Sequence, residues 1–267
     1  MSAASLLGAV FPMVDGKLQK AEDLVKGFDF SKMSTKDSTR DDFLHCSLAP
    51  SFGTLNGDTI KKLDDEMKIM IVGLTKALAK LPANQRSWDT IVSLCAQNPL
   101  LAPLDEGVSR SDSLIKNSSG DFKTDGSPDS GIVKEVNAWF KKLISDEDVI
   151  NSTKIDIDVL GRIVAQSGAT IDSFEAFFAK TEEHEKTLVN IGVLRYPDMD
   201  NPFFKIYRIQ LTAWSKSERV LFHQEDQNGI QGLFNMRRYK PRGSVIDNLR
   251  QEVKQKACQD AEDLLSF

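Results

Sequence analysis

Histidine, cysteine and tyrosine are scarce in this chain, with three of each among 267 residues. Cys46, Cys95 and Cys258 lie far apart and form no C-x-x-C pair, which excludes a zinc ribbon or a thioredoxin-type redox couple. An odd count also fits reduced thiols better than a secreted disulfide framework. The histidines His45, His184 and His223 are equally dispersed, so a metal or general-base site would have to be assembled by tertiary contact. His45-Cys46 offers two ligands at most, and Glu182-Glu183-His184-Glu185 reads as a polar cluster. The chain lacks G-x-S-x-G, the P-loop pattern, G-x-G-x-x-G and H-E-x-x-H, which leaves hydrolase, nucleotide, dinucleotide and zincin chemistries without local support. The expectation is a protein that is not an enzyme, with no metal and no bound cofactor.

Long apolar runs are missing too. The most hydrophobic stretch, Met67 to Leu81, is broken by Lys68, Lys76 and Lys80, and no run of 18 apolar residues occurs. It reads either as a core helix with its lysines outside or as an amphipathic helix able to lie on a bilayer. The short run Leu6 to Phe11 has no basic residues before it and Pro12-Met13-Val14-Asp15-Gly16 after it, so no cleaved signal peptide is expected and the protein is read as cytoplasmic when synthesised. With 34 basic and 39 acidic residues the net charge is −5 and the pI about 5.4, which argues against a nucleic-acid partner.

What is present fits one domain over residues 1–267: 40% hydrophobic and 27% charged residues suffice for a sizeable core. Ile60, Leu63, Met67, Met70, Ile71, Leu74, Leu78 and Leu81 recur at helical spacing, and Pro82 ends the run. A second helix from Ser87 to Asn98 completes a hairpin over about 57–100. Residues 105–130, rich in Ser, Gly, Asp and Asn, read as an exposed loop. Ile132, Val136, Trp139, Phe140, Leu143 and Ile144, then Ile157, Leu160, Ile163 and Val164 with Ile171, Phe174, Phe177 and Phe178, predict a second helical hairpin over 131–180.

Period-two patterning takes over from 187 to 240. Strands are predicted at Thr187 to Tyr196 and Phe203 to Trp214, and a polar turn at Ser215 to Glu218 leads to Arg219 to Gln224. A tight reversal at Asn228-Gly229 then opens Ile230 to Tyr239. A helix over 244–265 closes the chain. The order of helices, sheet and helix is α+β: a three-layer α/β/α stack in which helical hairpins flank an antiparallel sheet of long strands. One basic cluster stands out, Arg237, Arg238, Lys240 and Arg242. It can grip lipid headgroup phosphates, or it can be a solvated strand end whose charges discourage edge pairing.

The arrangement from about Gly131 to Val253, with its Asp-x-Asp-Asn-Pro turn at Asp198 to Pro202 and the long Phe203 to Trp214 strand, resembles the Cyt-type cytolysin fold family, which includes Cyt δ-endotoxin, volvatoxin and the Erwinia virulence factor. The resemblance implies a toxin or virulence-type protein that acts on a lipid membrane or a fatty acid, self-associates on membranes and is released to act on a host. It implies outer helices that swing from the sheet on lipid. Trp139 and Phe140 of the helical layer, and Phe203, Tyr207, Ile209 and Leu211 of the strand, would then contact lipid, with Arg237, Arg238, Lys240 and Arg242 on headgroups. Lys205 interrupts the apolar side of that strand and argues against insertion as a barrel. A fatty acyl chain held between helices and sheet avoids the difficulty. Cys95 reads as a buried small hydrophobe, with lipidation as its alternative role. The rival reading is a cytosolic scaffold that holds a protein partner.

Overall fold

The computed structural model describes residues 34–49, 58–121, 128–166, 179–196, 203–220 and 223–265. Six strands form one sheet: β1 (Ser34–Leu48), β2 (Leu101–Pro103), β3 (Val108–Asp121), β4 (Ala179–Tyr196), β5 (Phe203–Val220) and β6 (His223–Pro241). The spatial order is β1-β4-β5-β6, and β2 and β3 both pair with β6 to share the far edge. Every pairing is antiparallel except β1 with β4. The fold is α+β, and its mixed sheet differs from the antiparallel one that the sequence suggests because an N-terminal strand joins it.

The alternation in β5 decides the layering. Tyr207, Ile209, Leu211 and Ala213 point to one face, here the first face, where they meet Leu188, Ile230, Phe234 and Met236. Helices α3 (Ser130–Ile144), α4 (Glu147–Ser152) and α5 (Ile157–Ala165) cover that cluster. Phe204, Ile206, Ile191, Val193 and Tyr239 point to the second face, under α1 (Asp58–Lys80), α2 (Trp88–Gln97) and α7 (Gln251–Leu265). A short helix α6 (Gly243–Asp247) precedes α7, so the predicted 244–265 helix is two pieces.

Four further differences have one cause, the length of the strands. Residues 108–121 form β3 and not a loop: this polar segment is an edge strand whose outward residues face water, and edge strands tolerate such composition. Ser215 to Glu218 continues β5, and Asn228-Gly229 lies inside β6. Gly229 serves close packing there and makes no turn, since an ideal Cβ on it would fall 2.4 Å from the Trp214 ring. Likewise β4 begins at Ala179, eight residues ahead of the expected start at Thr187. Helix α5 ends at Ala165. Ile171, Phe174, Phe177, Phe178, the Asp198 to Pro202 turn, the Leu6 to Phe11 run and Gly57 lie outside the described residues.

Candidate functional site: the seam between helices and sheet

The first face of the sheet carries two zones of opposite chemistry. The nearer zone is built by α3, whose apolar stripe repeats at three- and four-residue steps and whose start is capped by Asp129 Oδ1 accepting from Gly131 N–H at 2.7 Å. Its Val136, Trp139, Phe140, Leu143 and Ile144 are all buried against the sheet. The structure brings five of the six expected lipid-contact residues, Trp139, Phe140, Tyr207, Ile209 and Leu211, into this one cluster, and Phe203 packs at its edge. Gly232 lets the layers approach: an ideal Cβ at that position would come within 2.5 Å of Leu143 Cδ2 and 2.8 Å of Trp139 Cη2.

Polar ties fasten the helical layer to the sheet at its ends. Arg110 on β3 donates from Nη1 to the carbonyls of Leu143 at 3.1 Å and Ile144 at 2.8 Å, satisfying the open C-terminus of α3. Lys205 on β5, the residue that breaks the apolar alternation, reaches Asp146 Oδ2 at 2.7 Å. The same Asp146 caps α4 by accepting from Val149 N–H. Lys205 is thus an internal latch in the closed protein.

Beside the latch lies a closed polar network around His45. Asn190 Nδ2 lies 3.3 Å from His45 Nδ1, His45 Nε2 lies 3.1 Å from the Tyr207 hydroxyl, and that hydroxyl donates to Asn190 Oδ1 at 3.3 Å. Thr153 donates to the same Oδ1 at 2.7 Å. All donors and acceptors agree if His45 is neutral with its proton on Nε2. Burial, helped by the positive charge of Lys154, lowers its pKa to about 4. Burial also pushes the Tyr207 phenol far above its ordinary value. Neither group is tuned as an acid or base for neutral pH, and no cluster of three metal-ligating side chains occurs among the described residues. His184 and His223 sit apart on β4 and β6, the latter exposed and 3.4 Å from Glu225.

The farther zone is polar throughout. Three successive cross-strand rows, read from β3 to β4, are Lys116-Asn228-Ser215-His184, Ser118-Asp226-Ser217-Glu182 and Gly120-Gln224-Arg219-Lys180. Eight of these twelve residues are buried: Lys180, Glu182, Ser215, Ser217, Arg219, Gln224, Asp226 and Asn228. Lys180 pairs with Glu182 at 2.7 Å, and Asp226 accepts from Ser217 at 2.7 Å, Gln224 at 2.7 Å and Ser118 at 3.1 Å. Asn228 Nδ2 ties the zone to α5 through the carbonyls of Val164 and Gln166. Ser215 Oγ, Gln224 Oε1 and Asn228 Oδ1 are buried with no hydrogen-bond partner among the described residues. Sequence reasoning missed this zone because it read Ser215 to Glu218 as a turn. The period-two run of small polar residues on either side of Arg219 was the available signal.

The basic cluster does not form one surface. Strand alternation sends Arg238 and Lys240 to one face and Arg237 and Tyr239 to the other. Arg238 forms an ion pair with Asp105 and lies 5.9 Å from the Phe203 ring. Arg237 is half-buried beside Tyr239, whose pKa burial pushes up to about 12. Lys240 and Arg242 are exposed. Cys95 is 2% exposed in the second-face core, and burial raises its thiol pKa to about 11, so it is an enclosed, protonated thiol.

Together these features define a three-layer α+β protein with an apolar seam, an internal latch and a buried polar extension. No protein-family model matches the chain, and no curated protein matches it in sequence. Among solved structures it is similar to that of the Evf virulence factor, at 10% identity and a TM-score of 0.22, over 88% of this chain and 82% of that one. A likeness of that size carries no argument, so the functional reading rests on the residues alone.

Proposed function

We propose that this protein acts physically on lipid, as a membrane-interacting protein of the cytolysin or virulence type, by parting the α3–α5 layer from the sheet. The observation that carries the reading is the seam itself. One contiguous stretch, residues 130–165, supplies the whole described cover over Tyr207, Ile209, Leu211 and Phe234, so a single movement uncovers a continuous apolar surface. Its described fastenings, Lys205 to Asp146, Arg110 to the end of α3, Thr153 to Asn190 and Asn228 to the end of α5, are polar ties, not disulfides.

Strands of 18 and 19 residues exceed the roughly 9–11 needed to cross a bilayer at a tilt. The polar rows make a full lipid-facing strand costly, which favours engagement of the apolar zone with acyl chains at the membrane surface over threading of the whole sheet. No described helix is long and apolar enough to cross a membrane. In this reading the partner is a membrane or a fatty acyl chain, and copies meet on the lipid.

The test is dye release and co-sedimentation with phosphatidylcholine vesicles, with and without an anionic lipid. Saturable sedimentation with leakage supports the reading. Protein that stays in the supernatant with both vesicle types refutes it and leaves the scaffold reading.

A further inference from the structure

Among the described residues, α1, α2 and α7 cover the second face of the sheet, and they do so over its near end only. Beyond them the described side chains of that face point outward: Ser111, Ser113, Asn117 and Ser119 from β3, Glu225, Gln227 and Gln231 from β6, and Glu185 from β4 are all exposed. Three shallow clefts lie side by side on this open face. One, of about 180 Å³, has Trp214 as a wall, with Glu183, Glu185 and Lys36 around it. A second, of about 240 Å³, is bordered by Asn117, Glu225 and Gln227, and a third, of about 140 Å³, by Gln210, Thr212 and Gln231.

We propose that this open face binds carbohydrate, laid as a short chain of sugar rings across β3, β6, β5 and β4. Trp214 is the platform. Its indole lies over Gly229, where the missing side chain holds the ring close to the sheet, and a flat ring fixed in that way stacks on the C–H face of a sugar. Around it stand amides, hydroxyls and carboxylates, which supply both donors and acceptors for hydroxyl groups at several angles.

The composition disfavours other ligands. Acyl chains would find few apolar contacts, since among the described residues Ile115 at 59% and Leu233 at 41% exposure are the large hydrophobics on the face that stand so far out. A phosphate-rich ligand would meet Glu183, Glu185, Glu218 and Glu225, while the lysines Lys36 and Lys216 are already within 4 Å of Glu183. A protein partner would need a larger apolar core than Leu233 and the single row of Ile115 and Trp214 supply. Each cleft has room for about one ring, well under the roughly 300 Å³ of a drug-sized pocket, so affinity should come from several rings at once.

The test uses the full chain, isothermal titration calorimetry and four probes: cellohexaose, maltohexaose, chitohexaose and a mannose hexamer. A parallel arm uses phosphatidylcholine vesicles with and without lactosylceramide. The expected result is a saturable heat of binding with at least one probe, the affinity weakened at least tenfold in Trp214→Ala and largely retained in Trp214→Phe. A response to free oligosaccharide identifies a soluble or polymeric glycan, and a response to lactosylceramide vesicles alone identifies a glycolipid head. Because Trp214→Ala could disturb the sheet, Gln231→Ala and Glu185→Gln serve as second variants. Both residues are exposed, and each should weaken binding several-fold with unchanged circular dichroism. No saturable response to any probe, or equal binding by the parent and all three weakening variants, overturns the proposal.

Discussion

Two halves of the sheet's first face share a backbone and a register yet bury opposite chemistry. Under α3 and α5 the inward residues of β5 run Tyr207, Ile209, Leu211, Ala213, and past Trp214 they run Ser215, Ser217, Arg219. The first half holds its cover by removing apolar surface from water, at about 25 cal/mol per Å². The second holds charges and amides that gain little net energy from burial, because each gives up water for its protein partner. Burial alone therefore does not measure how firmly a layer is attached. The apolar zone should open last and the polar zone first.

The largest effect expected is in the apolar half. Phe234 is 1% exposed in the seam, so Phe234→Ala should cost about 3–5 kcal/mol in urea denaturation. A loss under 1 kcal/mol would mean the seam is loosely packed and would erase the contrast between the halves.

Acid should act next, through His45. Its folded pKa is about 4 against 6.5 unfolded, so the unfolded chain binds the proton more readily. The stabilisation is fully present above pH 6.5 and declines as pH falls toward 4, by up to about 3 kcal/mol. Chemical denaturation from pH 7 to 4, with His45→Asn as the control, checks this. Equal slopes in both proteins would contradict the network drawn around Tyr207.

A smaller change sharpens the role of the latch. Asp146→Asn keeps a good helix cap and removes the charge that Lys205 meets, so it should cost about 1–2 kcal/mol and speed vesicle leakage. The smallest effect belongs to the polar half. Ser215→Ala deletes a buried hydroxyl that has no partner, and its stability should move within about 0.5 kcal/mol of the parent or rise. A loss above 1 kcal/mol would show that the hydroxyl is satisfied and that the polar half is as tightly knit as the apolar one.

Much of the fold was legible because apolar spacing reports burial directly. Ile132 to Ile144, Ile157 to Val164 and Phe203 to Trp214 fall where their periods place them, and α2 begins one residue after the expected start at Ser87, which caps it by accepting from Thr90 N–H. Residues 34–42 and 108–121 escaped because each is polar on both sides, and strands stabilised by neighbours' hydrogen bonds need no apolar alternation of their own. Asn228-Gly229 misled for a related reason: the pair is favoured in turns, but here Gly229 makes room for Trp214, a tertiary demand invisible in local sequence. The residues expected to contact lipid fall into one buried cluster because core residues of facing elements are apolar. Their latch, Lys205 with Asp146, appeared only as an interruption, since an ion pair between residues 59 positions apart leaves no local pattern.

The central claim is that lipid engagement requires α3 to leave the sheet, and a reversible lock tests it most directly. A pair of cysteines, one on the inward stripe of α3 and one on the facing side of β5, placed where the Cβ atoms lie about 3.5–4.5 Å apart, forms a disulfide across the seam. Vesicle leakage is measured for the oxidised double variant, then after reduction, with circular dichroism confirming the fold in both states. The account predicts no leakage when oxidised and recovery when reduced. Oxidised protein that releases dye at the parent's rate would contradict it.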